Sequence, residues 1–277
     1  MKSRFPKIVQ ISIISVYLIF LAGSVVRMTG SGMGCPDWPK CFGYYIPPTS
    51  EDQITWKPNT EFKKGFIIIK DEVLFVAEND VKTASEFNES HWKKYIKHDY
   101  AQFNKYHTWT EYINRLASVL SGFVFLFLIY TAFKFRKEDK RIPLLAFAAF
   151  FLMMVEAVMG KMVVDTNLKP GIITIHMIIG LVIIALLLQL KFIITVDKKK
   201  HNYNSLFNKL LIVSVIFSLI QIAMGTQVRQ FIDEQVKLFG FENKNYSLMN
   251  PSFKFYFHRS FTIAIVLVNF GLFYINQ

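Results

Sequence analysis

Cysteine and acidic side chains are scarce in this chain of 277 residues, and each scarcity excludes a class of protein. The two cysteines, Cys35 and Cys41, have no third and fourth ligand nearby, which makes a zinc site a poor interpretation. Acidic residues number 20 against 32 lysines and arginines, giving a net charge of +12. Because this charge is concentrated in short segments between apolar runs, it argues against a nucleic-acid partner.

Apolar residues make up 52% of the chain and gather in six blocks of about 20 residues, the length of helix that crosses a bilayer. Backbone groups in lipid must hydrogen-bond within their own segment, so each block is expected to be helical. The first block is too long for a signal-peptide core, and no small-x-small cleavage site follows it. The sequence therefore predicts an all-α membrane protein, a transmembrane helical bundle, with spans at residues 8–27, 112–133, 142–164, 171–196, 209–228 and 257–275.

Basic residues predict how this bundle is oriented. They crowd the N-terminus, the segment after the second span (Lys134 to Arg141) and the segment after the fourth (residues 198–200). Alternating spans put these segments on one side, which the positive-inside rule makes cytoplasmic. The N-terminus is therefore predicted to be cytoplasmic and the loop 28–110 to face outward. If the cell is bacterial, a disulfide across the five residues between Cys35 and Cys41 is expected in that oxidising compartment.

The outer loop is too long for a mere connection and should carry structure or function. Residues 66–76 predict two short strands around a polar turn. Residues 86–110 predict a helix, because Trp92, Tyr95, Phe103 and other aromatic residues recur every three or four positions. Such a helix would lie at the membrane interface or pack within the loop in solvent, and both interpretations stay open.

Two short motifs each occur twice, in matched order. Tyr-Ile-Asn-Arg at 112–115 and Tyr-Phe-His-Arg at 256–259 begin apolar spans, whereas Gly23–Arg27 and Gly225–Arg229 end them. They predict a four-helix half-repeat in spans one to four and a partial second repeat in spans five and six. We expect the two halves at residues 1–197 and 198–277. A complete second repeat would extend beyond Gln277, so either the second repeat is short or, as we expect, two further spans follow.

Polar and ionisable residues recur at the predicted outer ends of the spans. Glu111, Asn114 and Arg115 are spaced i, i+3 and i+4 and therefore share one face of a helix. Further ionisable groups enter or leave the bilayer on the same side, namely His176, His258, Arg27, Arg229 and Arg259. The topology alone predicts that these groups converge in the outer leaflet.

Histidine and arginine at that depth suit a haem, because imidazole ligates iron and guanidinium pairs with propionates. Ionisable groups in lipid are costly and should be paired or functional. Other interpretations stay open, with His176 as a helix–helix hydrogen-bonding residue and the arginines as groups that reach the lipid headgroups. Glu156, four residues before Gly160, is predicted to mediate interhelical packing, and Gln221 holds the same place before Gly225.

The run Gly23-Ser-Val-Val-Arg-Met-Thr-Gly-Ser-Gly-Met-Gly-Cys-Pro-Asp-Trp-Pro-Lys-Cys41 closely resembles the first outer segment of haem A synthases. Glu111 to Arg115, His176 and the His258–Arg259 pair follow in that family's order, so the resemblance covers essentially the whole chain. It implies an inner-membrane protein of eight spans and two four-helix halves, acting in cytochrome oxidase biogenesis. The implied reaction oxidises a methyl group of haem O to the formyl group of haem A by successive hydroxylation.

The resemblance also implies roles for single residues. Glu111 would be the catalytic carboxylate and His176 an iron ligand of the substrate haem in the N-terminal half. His258 would be an axial ligand of haem b, an electron-transfer cofactor in the C-terminal half. Asn114 stands where the family pattern Glu-x-x-His-Arg has histidine, and because an amide is not a haem ligand, iron there would be five-coordinate or water-bound. The predicted contacts to bound haem also include Arg27, Arg115, Arg229 and Arg259.

Two alternatives to a haem A synthase are a membrane haem-b electron-transfer subunit and a non-catalytic oxidase assembly factor. An electron carrier has no need for a carboxylate such as Glu111 beside its haem. An assembly factor would dock through the outer loop, so deleting residues 50–85 should abolish its function. The expected partners are haem O and the lipid bilayer, and further expectations are a homo-oligomer and a complex with the enzyme that produces haem O.

Overall fold

Six long helices carry the apolar blocks in the computed structural model, which describes residues 4–96, 103–166, 168–195, 204–239, 246 and 248–276. All six of these described helices are long and apolar enough to cross a membrane, which confirms the predicted all-α, multi-pass bundle. Their bounds are α1 Phe5–Thr29, α2 Lys105–Ala132, α3 Arg141–Asp165, α4 Pro170–Thr195, α5 Ser205–Phe239 and α6 Phe253–Ile275.

Local signals in the sequence fix the end of α1 and the start of α2. Gly30 follows α1 with a φ of 72°, the left-handed conformation that glycine adopts at helix ends. Asn104 precedes α2, and its side-chain oxygen accepts hydrogen bonds from the amides of Tyr106 at 2.9 Å and His107 at 3.3 Å. These amides have no partner within the helix, so the cap sets the residue at which α2 begins.

The helix α5 continues beyond the predicted span, which ended at residue 228. Its last turns carry charged side chains, and Arg229 lies 2.9 Å from Asp233 in an i, i+4 pair. Such pairs favour continued helix on an exposed surface. The end of an apolar block therefore did not mark the end of the helix, which reaches Phe239.

The chain between α1 and α2, residues 30–104, is called the α1–α2 segment below, and its described part contains two small antiparallel sheets. In one sheet β1 (Glu61–Phe62) pairs with β4 (Val81–Lys82), and in the other β3 (Val73–Ala77) lies between β2 (Ile67–Lys70) and β5 (Trp92–Lys94). The strands predicted at 66–76 are confirmed as β2 and β3. Their turn residues Asp71 and Glu72 have φ of 50° and 60°, which suits a tight two-residue hairpin.

The helix predicted over residues 86–110 is wrong for most of the described part. Glu89–His91 is a single 3₁₀ turn, β5 follows it, and α2 begins only at Lys105. Trp92 is buried in the sheet core, and its ring stacks with that of Phe87. The aromatic residues therefore fill a small sheet rather than one face of a helix, and residues 97–102 lie outside the described residues.

The chain divides into two compact units, residues 1–168 with 183–194, and residues 169–182 with 195–277. In the first unit α1 packs against α2 and α2 against α3, and in the second unit α5 packs against α6. The predicted halves at 1–197 and 198–277, and the duplicated four-helix arrangement, stay predictions.

Large apolar side chains on the helices face outward. Leu21, Phe123 and Ile263 are each more than half exposed, as expected for side chains that contact lipid. Helix hydroxyls are satisfied locally, since Ser24 donates to the carbonyl of Phe20 at 2.8 Å. Of the basic segments, residues 134–141 are described and 198–200 lie outside the described residues, so the cytoplasmic N-terminus stays a prediction.

Candidate functional site

A buried carboxylate lies near the start of α2. Glu111 is 4% exposed, and both of its oxygens accept hydrogen bonds. Arg115, one turn further along α2, donates from Nη2 to Oε1 at 2.5 Å, while the backbone amide of Cys35 donates to Oε2 at 2.7 Å. Burial of a charge in this way requires such partners, because an unpaired carboxylate would lose its hydration without compensation.

Cys35 and Cys41 are joined by a disulfide, and the loop that it closes, residues 35–41, is called the disulfide ring below. Arg115 donates from Nη1 to two carbonyl oxygens of this ring, those of Asp37 and Lys40, each at 2.8 Å. A planar guanidinium with donors on several edges suits this arrangement. One side chain of α2 therefore contacts both Glu111 and the disulfide ring.

The disulfide ring has an internal clasp of its own. The carboxylate of Asp37 accepts hydrogen bonds from the amides of Phe42 at 2.6 Å and Gly43 at 2.9 Å. Burial raises the pKa of Asp37, while these two amides and the charge of Arg115 act in the opposite direction. The carboxylate thus fixes the chain just after the second cysteine of the ring.

Tyr95 reaches the ring from the residue after β5, and its hydroxyl donates to the carbonyl of Pro36. Burial, together with the negative charges of Asp37 and Asp165, raises the pKa of Tyr95 to about 12, so the phenol keeps its proton as a donor. Both cysteines are buried beside Ile54 in one apolar cluster of the segment. The ring is therefore held from the sheet side as well as from α2.

Gly34, immediately before the ring, approaches the backbone of α2 closely. A Cβ at this position would lie 2.4 Å from the carbonyl oxygen of His107 and 2.8 Å from the amide nitrogen of Thr108. Thr108 in turn donates from its hydroxyl to the carbonyl of Gly34 at 2.8 Å. Only glycine leaves room for this contact between two backbones.

Gly34, Asp37 and Thr108 also belong to this site, although they were not predicted from the sequence. The glycine-rich run before Cys35 was the available signal for close backbone approach. Asp37 and Thr108 gave no signal, because their partners are set by the tertiary structure.

Asn114 lies on α2 beside Gly23 of α1. A Cβ on Gly23 would lie 3.9 Å from the side-chain oxygen of Asn114. That oxygen is buried and has no hydrogen-bond partner in the described part of the chain. Asn114 is thus a polar group turned toward a small residue on the neighbouring helix.

The second unit contains a matching pair of residues. A Cβ on Gly225 of α5 would lie 3.0 Å from Cε1 of His258 on α6. Gly225 and His258 hold the same motif positions as Gly23 and Asn114. In each unit, therefore, the glycine that begins one motif faces the third residue of the other motif on the neighbouring helix.

His258 is anchored through its backbone, while one of its ring nitrogens remains available. Gln221 of α5 donates from Nε2 to the carbonyl of His258 at 3.1 Å and to the hydroxyl of Thr262 at 2.7 Å, both on α6. Nδ1 of His258 is buried and without a hydrogen-bond partner among the residues described. A buried imidazole nitrogen without a protein partner is a candidate for metal ligation.

The remaining predicted residues lie at several places. Arg229 pairs with Asp233, and Arg259 lies with its guanidinium carbon 5.5 Å from the ring centre of Tyr256. Arg27 is in the last turn of α1. The structure therefore brings Glu111, Arg115 and Asn114 together on α2, and Arg259 beside His258 on α6.

His176 lies near the start of α4, in the second unit, and is half-buried. Its predicted meeting with Glu111 around one haem stays a prediction. The predicted propionate contacts of the four arginines also stay predictions.

Comparison with known proteins gives one family and one relative. Residues 7–67 and 69–276 match the family model COX15-CtaA, described as cytochrome oxidase assembly protein. A protein named Heme A synthase from Shewanella oneidensis is 22% identical over 183 residues, which cover 66% of this chain and 43% of that relative. The chain thus matches less than half of the relative's length. No solved structure matches the chain.

Proposed function

Since the chain belongs to the COX15-CtaA family of cytochrome oxidase assembly proteins, we propose that it acts as a haem A synthase. The substrate is haem O, and a methyl group on its ring is oxidised to the formyl group of haem A by successive hydroxylation. The observation that supports this proposal most directly is the buried carboxylate of Glu111, held through both oxygens on α2. A chain that only carried electrons would not need this group.

In the proposed mechanism Glu111 acts on the carbon that is oxidised. Each carboxylate oxygen has a second lone-pair site besides the one used by Arg115 or Cys35. The carboxylate can therefore take a proton from water beside the substrate, or stabilise positive charge that develops at the oxidised carbon. His176 is proposed as a ligand of the substrate iron.

The cofactor proposed for the second unit is haem b, which would supply one-electron transfer when bound. His258 fits a ligand because its buried Nδ1 lacks a protein partner in the described chain. Gly225 makes room beside the imidazole, and Gln221 holds the backbone of His258. Arg229 follows Gly225 on α5 and Arg259 follows His258 on α6, and both are proposed to pair with propionates.

The location proposed for the protein is the cytoplasmic membrane with the N-terminus inside, because the basic segments follow the positive-inside rule. This orientation places the α1–α2 segment and Glu111 on the outer side. The chain is also proposed to form a homo-oligomer and a complex with the enzyme that makes haem O.

The direct test expresses the full chain in cells that make haem O and lack haem A. Extracted pigments are then separated by chromatography and identified by mass. We expect haem A to appear only in cells that contain the chain. Haem O as the sole pigment, with the protein present in the membrane, would contradict the proposed function.

Replacing Gly225 with alanine is expected to weaken haem binding in the second unit by at least about tenfold, as changes beside metal ligands commonly do. The new Cβ would lie 3.0 Å from Cε1 and 3.6 Å from Nε2 of His258, so the imidazole must shift. Haem titration followed by absorbance measures the effect. Gly171→Ala is the control, because an added Cβ there meets nothing within 4 Å. Equal affinity for Gly225→Ala and the unchanged chain would argue against His258 as a ligand.

Replacing Asn114 with histidine is expected to add an iron ligand at the substrate site. Asn114 faces Gly23 as His258 faces Gly225, so an imidazole at this position has a small neighbour. In a His258→Ala background, the absorbance of bound haem should shift toward the low-spin form when Asn114→His is added. Ser118→His, one turn further along α2, is the control and should leave the spectrum unchanged. Identical spectra for both variants would show that position 114 does not face the haem.

A further inference from the structure

The guanidinium of Arg115 is hydrogen-bonded to protein groups within the first unit. Its two terminal nitrogens make three hydrogen bonds, to the carboxylate of Glu111 and to the carbonyls of Asp37 and Lys40. The side chain is only 14% exposed. The sequence alone predicts a haem propionate as the partner of this arginine, whereas three of its five N–H donors bond to protein atoms of this site.

These contacts form a closed circuit. Arg115 joins Glu111 to the disulfide ring from one side, and the Cys35 amide joins the ring to Glu111 from the other. Hydrogen bonds that share members in this way depend on one another, because moving one group changes the geometry of the rest. The orientation of the Glu111 carboxylate is therefore set by the ring as much as by α2.

We propose that Arg115 is a positioning residue that makes Glu111 and the disulfide ring one unit, an inference that rests on the proposed role of Glu111 in haem O oxidation. A free glutamate side chain samples several rotamers, and an active carboxylate must keep one of them. Arg115 supplies this constraint with charge-assisted bonds, which are stronger than neutral ones. It acts on the reaction through Glu111 and does not contact the substrate.

The linkage has a consequence that can be measured without haem. If the closed ring stabilises the orientation of Arg115 and Glu111, then these two side chains stabilise the closed ring by the same free energy, because coupling is reciprocal. Dithiothreitol reduces the Cys35–Cys41 disulfide, so that both sulfurs gain hydrogen while the reagent becomes a cyclic disulfide. Because both cysteines are buried, the rate of this reaction reports how readily the ring opens to the reagent.

The first experiment compares reduction rates in the full chain purified in detergent. Arg115→Gln is expected to be reduced at least about tenfold faster than the unchanged chain, because three charge-assisted hydrogen bonds are lost. Samples are quenched with iodoacetamide, and intact mass counts the alkylated cysteines. Arg141→Gln is the matched control. Arg141 lies 2.7 Å from Asp139, and this pair is outside the ring, so the substitution should leave the reduction rate unchanged.

Two milder variants keep the test decisive if Arg115→Gln does not fold. Arg115→Lys retains the charge but lacks the planar fork, so it should fall between the unchanged chain and Arg115→Gln. Glu111→Gln keeps an oxygen for the Cys35 amide but loses the charge that faces Arg115, so its reduction should also be faster. Reduction of all folded variants at the unchanged rate would overturn the proposal.

The second experiment separates positioning from substrate binding. With haem O as substrate, Arg115→Gln is expected to lower kcat by about tenfold or more and to leave KM within about twofold, since a misplaced carboxylate affects the chemical step. Partial recovery of kcat in Arg115→Lys would support the proposal. A raised KM with unchanged kcat would identify Arg115 as a propionate partner and overturn it. An unchanged chain that forms no haem A would contradict the proposed function alone, because the reduction rates need no substrate.

Discussion

Replacing Glu111 with glutamine should lower haem A formation by at least about 100-fold, the usual contribution of a group that transfers protons in the reaction. Glutamine keeps the size of the side chain and an oxygen that can accept from the Cys35 amide at the position now 2.7 Å away. The variant should therefore fold and still bind haem. Pigments extracted from cells that make haem O should then contain haem O in place of haem A.

The control for this prediction is Glu89→Gln, which changes an exposed carboxylate in the α1–α2 segment. Its haem A level should equal that of the unchanged chain. Glu111→Ala should also retain haem and lack haem A, although it removes a partner of Arg115. Normal haem A in the Glu111 variants would contradict the proposed catalytic role of Glu111.

Replacing Gly34 with alanine should detach the disulfide ring from α2. The added Cβ would lie 2.4 Å from a backbone oxygen of α2, and no side-chain rotation can relieve an overlap with backbone. Overpacking of this kind typically costs about 1–3 kcal/mol, and a contact with backbone lies at the upper end of that range. We expect the α1–α2 segment to be cut by protease at a lower temperature, and haem A formation to fall with it.

Gly122→Ala on α2 provides the matched control, because an added Cβ there meets nothing within 4 Å. Alanine in a helix interior is favoured over glycine by roughly 0.5–1 kcal/mol, so this variant should be at least as stable as the unchanged chain. Protease resistance of Gly34→Ala equal to that of Gly122→Ala would show that the two backbones are further apart than described.

Deleting residues 50–85 does not separate an enzyme from an assembly factor. The deleted stretch contains Ile54, Ile67 and Ile69, which pack in one buried cluster with Cys35 and Cys41. Removing them would disturb the disulfide ring and with it Glu111. Loss of function would follow under either interpretation, so single substitutions at Glu111 are the sharper test.

The membrane helices could be predicted because one physical rule decides them. A block of about 20 apolar residues crosses the bilayer as helix whatever its neighbours are. The strands β2 and β3 were predictable for a similar reason, since branched residues flank a short polar turn. Residues 92–94 were not, because the spacing of Trp92 and Tyr95 fits a helix equally well and pairing with β3 decides the outcome.

The candidate site divides in the same way. The shared helix face of Glu111 and Arg115 follows from their spacing on α2 and was predicted. The bond from Cys35 to Glu111 joins residues 76 positions apart, and no local pattern indicates it. From the sequence, Arg115 was therefore predicted to contact a haem propionate, the partner that its chemistry suggests when tertiary contacts are unknown, and that contact stays a prediction.

The cap formed by Asn104 fixes more than the first residue of α2. Counting from Lys105, Glu111 is six residues along a helix that rises about 1.5 Å and turns about 100° per residue. A single inserted residue after the cap would swing the carboxylate a quarter turn away from Cys35 and advance it along the axis. The number of residues from 104 to 111 thus sets the position of the Glu111 carboxylate, and the site should tolerate substitutions in this stretch far better than insertions or deletions.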